Sequence, residues 1–580
     1  MVENCAGSTP GPLPTACTVL VVGGGPVGLI QALLLVRLGI NTVVVEKYPN
    51  RLTVPKAHVI NPRTLEIMRQ FGIGVARLRK SAADSNDAGY VWFLNTLVGS
   101  LIGCIPYERQ DPAAYEITPE PILNVPQPEF ELFLREECKR HSVQLFDGFE
   151  WVMKDKSASW VKDRRTQQIQ PIEHKYLIAC DGARSAVRES IAISFDEKQP
   201  PVEMMTFHFD ADITGLVKHR KGVLYFFINP AVRDYAVIVS HRLTNNHVLV
   251  AKCGPGIPFQ REYFTSEISK SIINRLLGTD RIEYNVLDVK PWHMCVNVAR
   301  SFHQNNVFLV GDAAHAFPPT GGMGLNTGIG DAHNLAWKLA IVERGLASPS
   351  FLDTYQSERQ PVAHINADQS ALNRAKVQLL QDSVAEALHD LPDFNVTNGK
   401  FHAATDAECQ RFTHHLNHRL TNPVTAPLIE AAVDAQRDHF NMIDLHIGYI
   451  YGQPRDPARS VQVFTPSAIP GARLPHAAIR KHDDQTCSTL DLISHDKFTL
   501  IRATQESVGV PSSFDKFVQT VSLSPEYVFE DGGLWEARAG LSENRALLVR
   551  PDQHLLAYVS SPQEILSAIN DFCRTETSIQ

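Results

Sequence analysis

Residues 17–46 read CTVLVVGGGPVGLIQALLLVRLGINTVVVE, and the rest of the chain is organised around them. Thr18 to Val22 is a short valine-rich apolar run, the pattern of a buried parallel strand. Gly23, Gly25 and Gly28 then form G-x-G-x-x-G. From Pro26 to Leu38 nearly every position is apolar, which predicts a buried helix. Asn41 to Val45 predicts a second buried strand, closed by Glu46. Glu46 falls 18 residues after Gly28, close to the ~20 expected of a dinucleotide-binding βαβ unit.

Each residue type has a physical reason to stand there. Gly23 permits the tight turn off the strand, Gly25 has no Cβ to block a pyrophosphate, and Gly28 lets helix and strand pack closely. The helix N-terminus offers unpaired N–H groups and partial positive charge to that pyrophosphate. Glu46 accepts hydrogen bonds from ribose hydroxyls, and its charge repels a 2′-phosphate. The site therefore suits FAD or NAD rather than NADP. Glycines also serve plain turns; it is the order of strand, triplet, helix, strand and terminal acid that carries the reading.

Working outward, 580 residues are too many for one core, and two to four domains are expected. A hydrophobic content of 44% with 20% charged residues is ordinary for a soluble globular chain. A net charge of −8 argues against a general nucleic-acid partner. The ten cysteines are scattered without a C-x-x-C pair, which fits reduced thiols and a cytoplasmic protein. Residues 1–16 are rich in Pro and Gly and read as a flexible N-terminal arm, not a signal peptide. No run reaches ~18 uninterrupted apolar residues, so no membrane span is expected.

After Glu46, Tyr48-Pro49-Asn50 reads as a turn, and Arg63 to Phe71 as a helix stopped by Gly72. Pro55 and Pro62 keep the segment between them extended. His58 lies in that segment and, taken alone, reads as a satisfied, partly buried histidine. Residues 85–125 look like an excursion from the first domain. Helix Glu129–His141, strand Val143–Phe146 and strand Tyr176–Cys180 return to it, the last running into Asp181-Gly182. Such a strand end is where α/β sheets bind ligands. From Met204 to Arg300 short alternating strands, with a helix near Ser266–Leu277, predict an inserted antiparallel sheet. Its Phe207, Tyr225, Phe226 and Trp292 are candidates either to roof an apolar pocket or simply to fill the sheet core. Strand Asn306–Val310 then ends in Gly311-Asp312-Ala313-Ala314-His315, and a glycine-rich loop feeds an amphipathic helix expected over Thr327–Ile341. His414, His415 and His418 share a helix face without a third element to complete a metal site, so no metal is expected.

Three blocks now stand in order: GGGPVGL with Glu46, LIACDGARSAVR, and GDAAHAFPPTGGMGLNTGIGDAHNLAWKLA. Together they resemble the group A flavoprotein monooxygenases, the aromatic hydroxylases of the p-hydroxybenzoate hydroxylase fold. PKAHVINPRTLEIMRQFGI and the C-terminal region are similar to the phenol hydroxylase and dichlorophenol hydroxylase branch. The resemblance runs from about Thr18 to Val559.

It implies an α/β fold: a Rossmann-like FAD-binding domain, an inserted antiparallel sheet that covers the flavin and binds substrate, and a thioredoxin-like C-terminal domain. The boundaries expected are 17–84, 121–200 and 301–370 for the discontinuous FAD domain and 85–120 with 201–300 for the substrate sheet. Residues 371–455 form a helical connection and 456–580 the last domain. That domain lacks C-x-x-C, so it should do no redox chemistry; in the family it supports structure and homodimer formation. Carried over, Gly23, Gly25, Gly28 and Glu46 hold the ADP half of a tightly bound FAD. Gln127 and Arg135 reach the phosphate and ribityl region, and Asp312 bonds the ribityl chain. Gly324, Leu325 and Asn326 present backbone groups to the isoalloxazine ring, and Asp181 belongs to a site shared by FAD and the pyridine nucleotide. NADPH or NADH binds transiently. Lys56 stands where the family commonly has arginine. The activity implied is hydroxylation of a phenol with NAD(P)H and O2 through a flavin C4a-hydroperoxide. Baeyer–Villiger or dearomatising oxygenation, or a flavin-binding scaffold without turnover, are the alternatives. The resemblance assigns His58, five positions before Arg63, as the base that takes the phenol proton.

Overall fold

The computed structural model describes residues 12–49, 54–107, 112–229, 236–253, 258–388, 406–481, 484–505, 508–510, 515–530 and 534–573. Residues 1–11 of the expected N-terminal arm, Asn50 of the expected turn after Glu46, and Pro230, Tyr235 and Gly254 of the expected inserted sheet lie outside them. The rest of the arm is held: Leu13 is buried in the main core, and the Thr15 carbonyl accepts from the Glu173 N–H at 2.8 Å.

β1 (Ala16–Val22), α1 (Pro26–Arg37) and β2 (Thr42–Glu46) form where the apolar pattern puts them. β1 runs parallel to β2 on one side and to strand Ile169–Ala179 on the other. Strands Val307–Leu309 and Gln144–Asp147 extend the parallel sheet at its two flanks. Sequence-distant segments are thus adjacent here, and their C-terminal ends line one edge. The glycines explain the tightness of that edge. Gly23 has φ +109°, and a Cβ there would stand 2.3 Å from the Cys180 carbonyl oxygen. A Cβ on Gly28 would stand 2.0 Å from the Gly23 carbonyl oxygen, so only glycine lets α1 lie this close to the turn.

β3 (Val59–Ile60) pairs with Leu123–Asn124, and α2 (Pro62–Gln70) follows it. Asn61 caps α2, its side chain accepting from the Thr64 N–H at 2.9 Å, and Pro62 occupies the first helical position. The later glycine-rich helix differs from expectation. It spans Met323–Glu343, starting four residues early because Gly322 takes a left-handed φ of +62° as its N-cap. It is not amphipathic: every residue from Asn326 to Val342 is buried. α1, α2 and helix Thr354–Ala387 all pack on it, so no face is left for water.

The inserted sheet has seven strands, in the order Tyr284–Met294, Val202–Ala211, Asn245–Lys252, Ala236–Arg242, Leu224–Phe227, Tyr90–Leu94 and Leu101–Pro106. It is antiparallel except at one place, where Leu224–Phe227 runs parallel to Tyr90–Leu94. Side-chain alternation gives the sheet two faces. Phe207 and Tyr225 lie on the outer one, in the core shared with helix Ser266–Leu277. Phe226 lies on the inner face against His439 and Phe440, and Trp292 on the same face donates to the Thr206 hydroxyl at 2.9 Å. Phe207 and Tyr225 are therefore sheet core and cannot roof a pocket beside the first domain.

In the C-terminal region strand Phe498–Arg502 is parallel to Val518–Ser522 and antiparallel to Ala546–Val549, which pairs with Leu555–Val559 before helix Pro562–Cys573. That is a thioredoxin-like order. Among the described residues no helix is long and apolar enough to cross a membrane.

The clash at Gly28 makes a prediction. Gly28→Ala forces α1 off the Gly23 turn and should cost about 1–3 kcal/mol, as overpacking does. Its chemical-denaturation midpoint should fall clearly below wild type; an unchanged midpoint would show that the turn yields freely.

Candidate active site

The edge where the parallel strands end is built first from the glycine turn. Gly25 caps α1 with an ordinary φ of −72°, and a Cβ placed on it meets nothing within 4 Å. Backbone conformation does not demand glycine here, so the open space in front of it does. Glu46 leaves β2 against this turn. Its Oε2 accepts from the Gly24 N–H at 2.7 Å and its Oε1 from the Tyr48 N–H at 2.9 Å. Each oxygen keeps a second lone pair for a ribose hydroxyl. Beside it stands Arg135. Its fork is closed on Asp147 by two bonds of 2.7 Å, and Asp147 is the register partner of Glu46. Arg135 thus braces the strand end next to Glu46, while its Nε is buried without a hydrogen-bond partner among the described residues and three of its five N–H groups are not used by Asp147.

Gln127 opens helix Gln127–Arg140. Its N–H donates to the Ala57 carbonyl at 2.8 Å, and its side-chain amide donates to Glu131 at 2.8 Å. The first bond anchors the extended segment that carries Lys56 and His58. Asp181, at the end of its strand, accepts from the Val187 N–H through Oδ2 at 3.3 Å, while Oδ1 is buried with no partner. Burial pushes this carboxyl above its ordinary range. Asp312 lies exposed on the cleft wall, its Oδ1 4.0 Å from where a Gly324 Cβ would be. The crowding of the cleft raises its carboxyl, and His315 and Lys56 pull it back down. Lys56 is shifted downward by withdrawal from water and then by Lys290 on the inner face of the sheet, with Asp312 opposing.

Gly324 and Leu325 sit inside the first turn of the helix, where N–H groups have no intrahelical acceptor, and Asn326 follows as the first residue whose N–H has one, the Gly322 carbonyl. The Asn326 side chain turns away from the cleft. Its Oδ1 accepts from the Asn61 N–H at 2.9 Å and the Thr64 hydroxyl at 2.8 Å. Its Nδ2 donates to the Val59 carbonyl at 3.0 Å and the Gly322 carbonyl at 2.8 Å. This one amide joins the helix start to β3 and α2.

His58 precedes β3, its carbonyl accepting from the Val125 N–H at 2.8 Å. Its Nδ1 is 3.0 Å from Asn124 Oδ1, which also accepts from the Tyr107 hydroxyl at 3.3 Å. An amide oxygen only accepts, so Nδ1 carries the proton and the Nε2 lone pair is left for a ligand. The ring meets His241, on the inner face of the sheet, edge-on at 5.7 Å. Burial lowers His58 to about 4, overriding the bond to Asn124, and drives His241 well below its usual value. His58 is thus a neutral, tautomer-locked imidazole at the seam between the first domain and the sheet. It is a far weaker base than the free side chain.

Deeper in, a charged cluster supports the helix. Asp331 accepts from Arg359 Nε at 2.8 Å and lies 2.6 Å from His315 Nε2, all three fully buried. Burial pushes the Asp331 carboxyl up, but His315 and Arg359 hold it below its ordinary range. Sequence reading missed this cluster, Asn61, Thr64, Asn124, His241 and Lys290. Only Asn61-Pro62 carries a local signal, that of a capped helix start.

The open cradle at Gly25, the orphaned Asp181 oxygen, the exposed Asp312 and the free first-turn N–H groups face ends of strands and helices on one edge. They fit an extended dinucleotide carrying a polyol and a flat ring, as FAD does. Comparison with known proteins agrees. Residues 16–370 match the family described as FAD binding domain, and residues 467–571 match the aromatic-ring hydroxylase C-terminal domain. The 2,4-dichlorophenol 6-monooxygenase of Delftia acidovorans is 29% identical over 93% of this chain and 94% of its own. The 4-methyl-5-nitrocatechol 5-monooxygenase of a Burkholderia species is 28% identical over 92% of both. Among solved structures, the flavin-dependent monooxygenase PieE in complex with FAD and substrate superposes with a TM-score of 0.84 at 27% identity, covering 97% of this chain and 100% of that one. The chain belongs to the FAD-binding aromatic-ring hydroxylase family.

Because Gly25 faces open space, Gly25→Ala should fold as wild type yet weaken FAD about tenfold or more, about 1.4 kcal/mol. Fluorescence titration of the apoprotein measures this. Unchanged affinity would mean that the pyrophosphate lies elsewhere.

Proposed function

We propose that this flavoprotein monooxygenase hydroxylates a phenol, with NAD(P)H as reductant and O2 as the oxygen source. The observation that carries the reading is the locked neutral imidazole of His58 at the seam between flavin edge and sheet. With FAD bound, the chemistry supplied is two-electron reduction by NAD(P)H and transfer of one oxygen atom from O2 to the ring. The chain's own residues do the rest. Glu46, Gly23, Gly25 and Gly28 seat the ADP half. Gln127 and Asp312 hold the ribityl side, with Arg135 bracing Glu46 through Asp147. Asp181 supplies an acceptor shared with the reductant's path. The N-terminal end of this helix, Gly324, Leu325 and Asn326, stabilises negative charge on a reduced ring. The inner sheet face, Thr206, Val239, Val250 and Trp292, covers the substrate and keeps water out.

His58 takes the phenol proton at Nε2: the substrate O–H bond breaks, an N–H bond forms, and the oxygen's electron pair enters the ring. The depressed basicity decides when this occurs. Against a phenol of pKa ~10, a base at about 4 makes full prior deprotonation cost about 8 kcal/mol. The proton therefore moves as oxygen attacks, when the ring gains positive charge and its hydroxyl acidifies.

The function is tested by NAD(P)H oxidation in a panel of phenols, with mass analysis of products. Stimulation without a hydroxylated product contradicts it. The role of His58 is tested in single turnover after flavin reduction. His58→Ala should slow oxygen transfer by ~10²–10⁴. The wild-type rate should stay level from about pH 8 to about pH 5.5, because His58 titrates near 4 and not near 6.5. The same shift acts on stability. The unfolded chain binds a proton near 6.5 and the folded one near 4, so stability is full above pH ~6.5 and falls as pH drops through that window. An acid limb at pH ~6.5 in the wild-type rate would contradict the neutral His58.

A further inference from the structure

The turn joining the last two strands of the C-terminal sheet, Arg550–His554, is buried inside the rest of the molecule. Arg550 is 2% exposed, Asp552 1%, Gln553 2% and His554 1%. Hairpin turns are ordinarily the wettest part of a sheet. Gln553 moreover adopts φ +65°, a left-handed conformation that costs a non-glycine residue about 1 kcal/mol. That strain delivers a side chain. Gln553 Oε1 accepts from Arg63 Nη1 at 2.6 Å, and its Nε2 donates to the Leu490 carbonyl at 3.1 Å. The neighbouring Asp552 carbonyl accepts from Arg63 Nη2 at 2.6 Å.

The turn is a rigid platform. Arg550 makes two bonds to Glu358, at 2.7 and 2.8 Å, and two to the Asp552 carboxylate, at 3.0 and 2.6 Å. Trp337 of the central helix also donates to Asp552, at 3.2 Å. On the far side of Arg63, within the same first turn of α2, Asn61 and Thr64 both donate to Asn326. The start of α2 is thus gripped from two directions. One grip is the flavin-edge helix, and the other is a turn nearly five hundred residues further along the chain.

We propose that Gln553 is a positioning residue of the active site. By holding Arg63 it fixes the first turn of α2. Through Asn61, Thr64 and Asn326 it then fixes the helix start at the flavin edge, and with it the Lys56–Val59 segment that carries His58. The C-terminal domain is therefore part of the oxygenation machinery. The catalytic half of this statement rests on the hydroxylase reading; the flavin half does not.

The test uses FAD-loaded full-length protein and three variants. Gln553→Asn keeps an amide suited to the left-handed turn but is one methylene too short for Arg63. Gln553→Glu keeps the acceptor at full length. Tyr558→Phe removes bonds to the Ala468 and Ala539 carbonyls in the same domain, remote from Arg63. Three quantities are read: the denaturation midpoint, the visible absorbance of bound FAD, and the share of NAD(P)H electrons ending in hydrogen peroxide. Gln553→Asn should fold, shift the flavin bands and raise the peroxide share about threefold or more, because small misplacements at a reacting centre are costly. Gln553→Glu should restore both. Tyr558→Phe should lower only the midpoint. Wild-type bands and coupling in Gln553→Asn, equal effects in Tyr558→Phe, no rescue by Gln553→Glu, or failure of Gln553→Asn to fold would each overturn the proposal. If wild type hydroxylates no phenol, the functional reading fails, and the flavin bands still decide the role of Gln553.

Discussion

One side-chain amide ties the site together. Asn326 fills both lone pairs of its oxygen and both hydrogens of its nitrogen with partners from three places: Asn61 and Thr64 of α2, Val59 of β3, and Gly322 at its own helix start. It is buried, so each bond lost leaves an unpaired group away from water, at about 1–3 kcal/mol. The helix end facing the flavin edge and the segment bearing His58 are thereby one rigid unit. Geometry at a reacting centre must hold within about half an ångström, and an amide with every bond made is a means of holding it.

Around this amide the protein places charge where apolar packing would be expected. Asp331, His315 and Arg359 form one buried cluster; Glu358, Lys338, Arg550 and Asp552 form another; Arg63, Glu66 and Arg473 a third. Burial alone would neutralise Glu66, yet Arg473 and Arg63 hold its carboxyl below the ordinary range. Lys338 is the counterpart: burial lowers it to about 8 despite Glu358. Such clusters add little net stability over an apolar core, but removing one partner strands the other at about 3–5 kcal/mol. They make one arrangement of the domains far better than its neighbours. That explains a C-terminal domain without a C-x-x-C pair that is nonetheless built into the molecule.

Much of this was legible in the sequence, for reasons that differ by element. β1, α1 and β2 came out within a residue or two because strand and helix periodicities, glycine sterics and a terminal acid all act within thirty residues. Helix Ser266–Leu277 also forms where it was read, and the structure adds Thr265 as its cap and Gly278 at its end. The central helix began earlier than read, because Gly322 as a left-handed cap is indistinguishable in sequence from another loop glycine. Its burial on all sides depends on partners from three distant segments. The parallel pairing of Leu224–Phe227 with Tyr90–Leu94, and the outward facing of Phe207 and Tyr225, are set by sheet assembly that no local pattern encodes. Arg63, Glu66, Arg473, Arg550 and Gln553 carry no local signal of burial, since their partners lie up to 490 positions away. His58 was found by resemblance, but its tautomer and weakened basicity come from Asn124 and burial, which only the fold supplies.

On the proposed reading, the site seats FAD at one sheet edge under the inserted sheet and offers a phenol the neutral His58. The most direct test of that account follows the oxygen atom. The reduced holoenzyme, mixed with a phenol it accepts under isotopically labelled O2, should give a product carrying one labelled oxygen in a new ring hydroxyl. Product oxygen derived from water, or labelled hydrogen peroxide in full yield with the phenol unchanged, would contradict it.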